Sequence, residues 1–198
     1  MISIATIVEG DGEVSALPIL LRRIAAEREP VVTVDILRPI RVRRDKFLNK
    51  KEEFRRQLLL AAAKCGGDGW ILILLDADDD CPAALGTEIH QRAQQYVAHR
   101  RVSVVLAKRE FEAWFIAAAH SLQDVRGFSM MPAEQMEAEV PRNAKGWMRE
   151  HMSTGTYSEF LDQPAFAAKF NLQQAFDNSR SFRKLIKEWH IHISQRPI

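Results

Sequence analysis

Two groups of acidic side chains in this sequence have the residue types and the spacing of a metal site. The segment ILILLDADDD, residues 71–80, follows an apolar run with four aspartates in five positions. Near the amino terminus, Glu9 and Glu13 flank the turn Gly-Asp-Gly, directly after the apolar run ISIATIV. Carboxylates a few ångströms apart repel one another, most strongly where solvent is excluded. The pattern therefore predicts that a cation completes the site.

Magnesium or manganese is the ion that such a set of oxygen ligands favours. In an extended segment alternate residues share a face, so we expect Asp76 and Asp78 to bind one ion together, with Glu9 as a third ligand. A phosphodiester would supply the remaining oxygens. One or two ions fit this expectation, and the chemistry would be phosphodiester hydrolysis.

The elements that would carry these residues alternate between strand and helix. Apolar runs predict strands at residues 2–8, 31–40, 70–75 and 102–107. The first helix is predicted from Ser15, with Pro18 in its first turn, and one unbroken helix is predicted over 46–64. Strands without a polar face indicate an α/β fold, with a mainly parallel sheet flanked by helices on both sides.

Ligand sites in open parallel sheets lie at the carboxyl ends of the strands. Acidic residues follow three of the predicted strands, and those after the fourth strand come with Lys108. We therefore expect these side chains to converge. A second interpretation stays open for four of the acids, because a helix dipole stabilises carboxylates in its first turn; these are Asp79, Asp80, Glu110 and Glu112.

The chain divides into two parts by composition. Residues 1–122 are predicted as the α/β domain, and 123–198 as a polar connector followed by a helical extension packed on it. Phenylalanines lie among helix formers in that extension and predict two or three helices, which are Phe160, Phe166, Phe170, Phe176 and Phe182. We expect most of them in a core rather than at an interface with a partner.

Positive charge is concentrated in one segment of a chain whose net charge is only +2. Residues 38–56 carry nine lysines or arginines against three acids. The second half of this run is also explained by local ion pairs on a solvated helix face. The first half lacks such partners in sequence, so it is predicted to contact a DNA or RNA backbone through Arg38, Arg41, Arg43 and Arg44.

Several classes of protein are excluded by what the sequence lacks. No apolar run approaches the roughly 20 residues that span a bilayer, and the amino terminus has no features of a signal peptide. We therefore expect a cytoplasmic protein that does not enter membranes. Cys65 and Cys81 are too few for a disulfide framework and are expected to be reduced thiols.

The combination IVEGDGEVSALPILL and LLDADDD, followed by EFEAW, resembles the acidic signature of TOPRIM domains. It is most similar to the TOPRIM nucleases of the OLD (overcoming lysogenization defect) class and to a family of small stand-alone TOPRIM-like bacterial proteins. The likeness covers about residues 3–120. It implies a compact Rossmann-like sheet and a Mg²⁺- or Mn²⁺-dependent endonuclease, in bacterial phage defence or DNA repair.

Carried over residue by residue, the resemblance makes Glu9 a metal ligand or general acid/base and Glu13 a ligand of a second ion. Asp76 and Asp78 become ligands of the principal ion, and Asp80 helps to bind a second ion. The place of Lys108 is that of a basic residue that stabilises charge at the phosphate, and Glu110 is included among the candidate ligands. OLD proteins join this domain to an ATPase, and this sequence has no Walker motif, so an ATPase would have to come from a partner chain.

Other functions stay open at this point. A phosphohydrolase of the haloacid dehalogenase type also uses an Asp-x-Asp motif, but there the motif normally follows the first strand. A non-catalytic metal-binding or nucleic-acid-binding subunit of a defence or repair complex is the stronger alternative, with the aromatic tail docking a partner. The oligomeric state is left open, with a homodimer among the possibilities.

Overall fold

A five-stranded sheet with helices on both faces forms the centre of the computed structural model, which describes residues 1–131, 134 and 137–194. The named strands all pair in parallel, and this confirms the predicted α/β fold. In chain order the strands are β1 (Ile2–Val8), β2 (Val34–Ile36), β3 (Ile40–Arg41), β4 (Trp70–Asp76) and β5 (Arg101–Ala107).

The order of the strands places a switch point between β1 and β4. Across the sheet the strands run β2, β1, β4, β5, and β3 pairs with the far end of β1 on the same side as β2. The chain thus leaves β1 toward one edge of the sheet and leaves β4 toward the other. In such sheets the crevice outside the carboxyl ends of the two strands at this point is the usual ligand site.

Helices cover the sheet on both sides. The first four are α1 (Asp11–Arg28), α2 (Arg44–Asn49), α3 (Lys51–Cys65) and α4 (Pro82–Val97). After β5 come α5 (Ala113–Ala117), α6 (Ala144–Glu150), α7 (Asp162–Ala167), α8 (Leu172–Asn178) and α9 (Arg180–Trp189). Short 3₁₀ segments occupy Ala119–Leu122 and Val125–Gly127, and a π-helical turn, His190–Ser194, follows α9. In the described part of the chain, no helix is long and apolar enough to cross a membrane.

Alternation along β4 shows how the sheet joins two hydrophobic layers. Its Trp70, Leu72 and Leu74 side chains pack into the layer that contains α1 and the C-terminal helices. The intervening side chains face the layer formed with α2, α3 and α4. Because both faces are buried, the sequence of β4 is a continuous apolar run rather than an alternating one.

Three of the predicted elements have other boundaries. Helix α1 begins at Asp11 and not at Ser15, so Pro18 lies buried in the helix interior and the prediction of a first-turn proline is wrong. The earlier start follows from Glu13, whose carboxylate accepts a 2.5 Å hydrogen bond from the Gly10 backbone N–H. The predicted second strand is split into β2 and β3, and the predicted helix over 46–64 is interrupted at Lys50, where the backbone is extended.

The C-terminal extension shares one core with the first part of the chain. Phe166, Phe170, Phe182 and Trp189 are buried in the same cluster as the apolar face of α1, as expected. Phe160 is an exception, since it lies in a turn before α7 and 69% of its surface is exposed. The boundary at residue 122 remains a prediction about sequence, because the packing is continuous across it.

A glycine in α1 allows the extension to approach the start of this helix. A Cβ atom on Gly12 would lie 2.7 Å from the backbone oxygen of Glu159 and 2.0 Å from the side-chain oxygen of Gln163. Backbone atoms cannot move away as a flexible side chain can, so an added methyl group must push the extension outward.

We therefore expect Gly12→Ala to lower the free energy of unfolding by about 1–3 kcal/mol, as overpacking does. Gly86→Ala is the matched control, because Gly86 lies inside α4 and a Cβ atom added there would meet nothing within 4 Å. Alanine is a better helix former, so that change should stabilise the protein by about 0.5–1 kcal/mol. Urea denaturation of both variants measures the difference, and equal effects would contradict the close packing at Gly12.

Candidate functional site

The carboxyl ends of β1 and β4 bring together carboxylates from both strands and from α1. Glu9 directly follows β1, Glu13 lies in the first turn of α1, and Asp76 is the last residue of β4. The three side chains interact electrostatically. The convergence expected from the sequence is therefore present at the switch point of the sheet.

Burial and mutual repulsion both act on this group. Loss of solvent, followed by the charges of Glu13 and Glu112, raises the pKa of Asp76 well above its usual value. As a residue Asp76 is partly exposed, but its carboxyl group is enclosed. Burial likewise raises the pKa of Glu13 and of Glu9, and the nearby Asp78 adds to the effect on Glu9. The site therefore brings several carboxyl groups together in surroundings that favour their neutral form.

Glu112 is a further member of this group that is fully buried. One of its carboxylate oxygens accepts hydrogen bonds from the Tyr157 hydroxyl and from Nε2 of Gln163, each at 3.0 Å. The other oxygen is buried without a hydrogen-bond partner among the described residues. Burial raises the pKa of Glu112 to about 7. Glu112 is the N-cap residue of α5, as the helix-start interpretation predicts, but its side chain makes no capping hydrogen bond and lies in the interior beside Asp76.

Lys145, from α6, supplies positive charge to these acids. Its Nζ lies 3.6 Å from Oε1 of Glu110 and 3.5 Å from Oε1 of Glu159. Although burial opposes the charged form, the carboxylates of Glu112 and Asp76 raise the pKa of Lys145. The lysine is thus held as a cation. We call Glu13, Asp76, Glu110, Glu112 and Glu159, together with Lys145, the inner acidic cluster.

The aspartates after β4 form a separate, exposed group. Arg44 approaches Oδ2 of Asp78 at 3.6 Å and Oδ2 of Asp80 at 2.5 Å. Asp79 is paired with Arg109 and, at 2.8 Å, with Arg142. These aspartates are therefore balanced by arginines from three distant parts of the chain.

The expected shared face of Asp76 and Asp78 is wrong in its geometry. The strand ends at Asp76, and Asp78 has the left-handed backbone angle φ 48° while its N–H donates to the Arg109 carbonyl at 3.0 Å. Asp76 consequently contacts the inner acidic cluster, whereas Asp78 is exposed and faces Arg44. Glu9 interacts with both of them and lies between the two groups.

The two candidates that follow β5 have different surroundings. Lys108 extends Nζ to the backbone oxygen of Asp80 at 3.4 Å, at the margin of the site. Glu110 lies inside it, where Oε2 accepts a 2.9 Å hydrogen bond from the Lys145 backbone N–H. Glu110 thus anchors the beginning of α6, while Lys108 remains at the rim.

The basic residues predicted to contact nucleic acid are only partly on open surface. Arg38 and Arg43 are exposed. Arg41 pairs with Asp11 at 2.9 Å, and Arg44 is mostly buried against Asp78 and Asp80. Arg41 and Arg44, which lack acidic partners nearby in the sequence, therefore have them in the fold. The partners are far away in the sequence and are brought close only by the sheet.

The fit of this site to a divalent ion depends on its oxygens and on their present positions. No three histidine, cysteine or acidic side chains in the described part of the chain are arranged as a ready cage for a metal. Three oxygens at the site are nevertheless buried without hydrogen-bond partners, namely Glu9 Oε2, Glu112 Oε2 and Gln163 Oε1. Buried acceptors without donors suit a hard cation or its water ligands. These donors are of the type that Mg²⁺ and Mn²⁺ prefer.

Residues from the second part of the chain contribute to this site, which the sequence did not predict. The residues of the second part of the chain that take part are Lys145, at the end of the polar connector, and Tyr157, Glu159 and Gln163, which follow it. Their spacing follows no known motif. The one signal in the sequence was the excess of acids at strand ends, which requires a cation from elsewhere in the chain.

The raised pKa of Glu112 predicts a pH-dependent stability in the absence of metal. The folded protein keeps a proton that the unfolded chain releases near its usual pKa of 4.5, so stability falls as the pH rises from about 4.5 to about 7. A difference of this size corresponds to about 3 kcal/mol. We expect Glu112→Gln to remove this loss, because the amide is neutral and keeps an oxygen for Tyr157 and Gln163.

Urea denaturation in EDTA across this pH range measures the effect. Glu150→Gln is the control, since Glu150 is exposed at the end of α6. The control should follow the wild-type pH dependence. Parallel curves for Glu112→Gln and the wild type would show that Glu112 does not titrate in this range.

Comparison with known proteins gives one match. A family model described as "Domain of unknown function (DUF4276)" matches residues 8–189. That range includes every residue of the inner acidic cluster. No curated protein and no solved structure matches the chain.

Proposed function

The chain belongs to the family described as a domain of unknown function (DUF4276), and we propose that it is a metal-dependent nuclease that hydrolyses nucleic-acid phosphodiesters. The observation that carries the proposal is the group of carboxylates at the switch point between β1 and β4. Repulsion and burial make this group costly to keep, and such groups cluster at functional sites. The TOPRIM-like motifs of the sequence support the same chemistry.

Glu9 and Asp76 would hold Mg²⁺ or Mn²⁺. Glu13 would contribute from the inner acidic cluster, and Asp78 and Asp80 from the exposed group after β4. When bound, the ion supplies Lewis-acid polarisation of the phosphodiester and a water molecule of lowered pKa. Lys145 favours the ionised form of the inner carboxylates, against the effect of their burial. Arg44 pairs with the outer aspartates Asp78 and Asp80 and holds them in place.

Substrate binding is assigned to cations that lie near the carboxyl ends of the strands. Arg41 ends β3, and Arg43 and Arg38 are exposed nearby. Lys108 lies at the opposite margin of the crevice, after β5. Contacts of this kind hold a phosphate backbone without reading its sequence. DNA and RNA are both compatible with them.

The wider setting follows from the resemblance rather than from the geometry. We place the protein in the cytoplasm, in phage defence or DNA repair, with a separate ATPase chain as a partner. A homodimer is compatible with this setting.

Two other functions would use the same site differently. A non-catalytic subunit would bind a metal or a nucleic acid and leave hydrolysis to a partner. A small phosphohydrolase would cleave phosphate monoesters instead of nucleic acids. The cations assigned to substrate binding favour an extended phosphate backbone over a small monoester, because they come from both margins of the crevice, after β3 and after β5.

Incubation of the purified chain with supercoiled plasmid, single-stranded DNA and RNA, in Mn²⁺ or in EDTA, tests the proposal. We expect cleavage in Mn²⁺ that Asp76→Asn abolishes and Glu150→Gln retains. A rise in melting temperature with Mn²⁺ but no cleavage would favour the non-catalytic subunit. Hydrolysis of p-nitrophenyl phosphate without cleavage of nucleic acid would favour the phosphohydrolase.

A further inference from the structure

Phe160 is the one phenylalanine, tyrosine or tryptophan in the described part of the chain whose side chain is largely exposed, at 69%. All other such residues there are buried or partly buried. Leu161, its neighbour, is also exposed, at 56%. An exposed ring contributes little to the core and offers apolar surface for contact with a ligand outside the fold.

The turn that presents Phe160 is well fixed. The backbone N–H groups of Leu161 and Asp162 donate to the Ser158 oxygen at 3.2 and 2.7 Å. The Asp162 carboxylate accepts from the Ser158 backbone N–H at 2.8 Å and from Nε of Arg126 at 2.9 Å. The ring is therefore carried on an ordered support, which lowers the entropy lost when a ligand binds.

The same turn lies at the rim of the inner acidic cluster. Glu159, which precedes Phe160, pairs with Lys145, and its backbone oxygen lies against Gly12. On the other side of Gly12, Asp11 pairs with Arg41. The turn that carries Phe160 and the ion pair of Arg41 with Asp11 thus both lie at the start of α1.

We propose that Phe160 is a stacking platform for an unpaired base of the nucleic-acid strand whose phosphate occupies the candidate site. This inference rests on the proposed function and deepens it by naming the substrate class. A base stacks on an aromatic face only when it is not already stacked within a duplex, so the platform selects single strands. Arg41 would hold a phosphate of the same strand.

The test measures binding separately from cleavage. Fluorescence anisotropy with a labelled single-stranded oligothymidine and with a duplex, both in Ca²⁺, compares the wild type with variants at this turn. We expect Phe160→Leu to bind the single strand about 10-fold more weakly, which is the usual effect of losing one stacked base. Duplex binding should be unchanged.

Two variants separate stacking from general apolar contact. Phe160→Trp should bind at least as well as the wild type, and its indole fluorescence should be quenched as the oligothymidine is added. Leu161→Ala removes apolar surface from the same turn and should bind like the wild type. Melting temperatures should match throughout, because neither exposed side chain packs in the core.

Failure of this inference is distinct from failure of the proposed function. If the wild type binds and cleaves single strands and Phe160→Leu does so equally well, the platform is wrong and the nuclease stands. Equal weakening by Phe160→Leu and Leu161→Ala would also overturn it, in favour of an apolar docking contact. If the wild type neither binds nor cleaves nucleic acid, the proposed function fails first.

Discussion

Replacing Lys145 with methionine is expected to lower the free energy of unfolding by about 3 kcal/mol at pH 8, the usual effect of removing one partner from a buried ion pair. At pH 5 the loss should be much smaller. The measurement is urea denaturation in EDTA at the two pH values. Methionine keeps most of the apolar stem of the side chain, so the change mainly removes charge.

The pH dependence follows from the acids around the lysine. At pH 8 the carboxylates of Asp76, Glu110, Glu112 and Glu159 lose their nearby cation, and they must either repel one another or take up protons. At pH 5 the groups with raised pKa already hold protons in the folded protein, so the lysine contributes less. Lowering the pH should therefore restore much of the stability of the variant.

A surface lysine provides the matched control. Lys169 is exposed after α7, and Lys169→Met should change stability by less than about 0.5 kcal/mol at either pH. Mn²⁺ should raise the melting temperature of Lys145→Met more than that of the wild type, since the ion would replace the missing charge. Equal destabilisation at pH 5 and pH 8 would show that Lys145 acts through packing instead.

The local sequence pattern was sufficient to predict the strands of the sheet, but not which strands lie next to each other. The runs that became β1, β4 and β5 are mostly apolar and rich in Ile, Leu and Val, and their burial on both faces follows from that composition. Nothing in the same residues tells which strand lies beside β1. The switch point, which locates the crevice, is decided by tertiary packing.

Boundaries were lost where one side chain outweighed a general preference. A proline usually begins a helix, yet Pro18 lies inside α1 because Glu13 caps the chain earlier, at Gly10. Asp78 has a left-handed backbone conformation that an alternating-strand pattern cannot anticipate. Both cases depend on a single local interaction that the average propensities do not contain.

Only those residues of the candidate site that follow the strands could be predicted from the sequence. Glu9, Glu13 and Asp76 are identifiable because they follow apolar runs. Their counter-charges are not, because Arg44 and Lys145 are distant in sequence and belong to segments with other apparent roles. An excess of like charge indicates that a cation must be near, but not whether the chain or a metal provides it.

Loss of charge at the two aspartates of the Asp-x-Asp motif should affect the free energy of unfolding differently. In EDTA at pH 8, Asp76→Asn is expected to raise the free energy of unfolding, because a carboxyl group whose pKa is raised in the folded state destabilises that state when it must ionise. The amide has nearly the same shape and relieves the repulsion from Glu13 and Glu112. Asp78→Asn should change it by less than about 0.5 kcal/mol, because that side chain is exposed and loosely paired with Arg44.

With Mn²⁺ the same variants test ligation. The wild type should melt at a higher temperature with the ion than in EDTA, because the ion binds only the folded state. Asp76→Asn should lose most of this rise together with Mn²⁺-dependent cleavage, so that it becomes the more stable protein without metal and the less responsive one with it. A loss of stability in EDTA would mean that Asp76 makes structural hydrogen bonds, and an undiminished Mn²⁺ response would place the ion away from β4. Retention of the response by Asp78→Asn alone would confine ligation to Glu9, Asp76 and the inner acidic cluster.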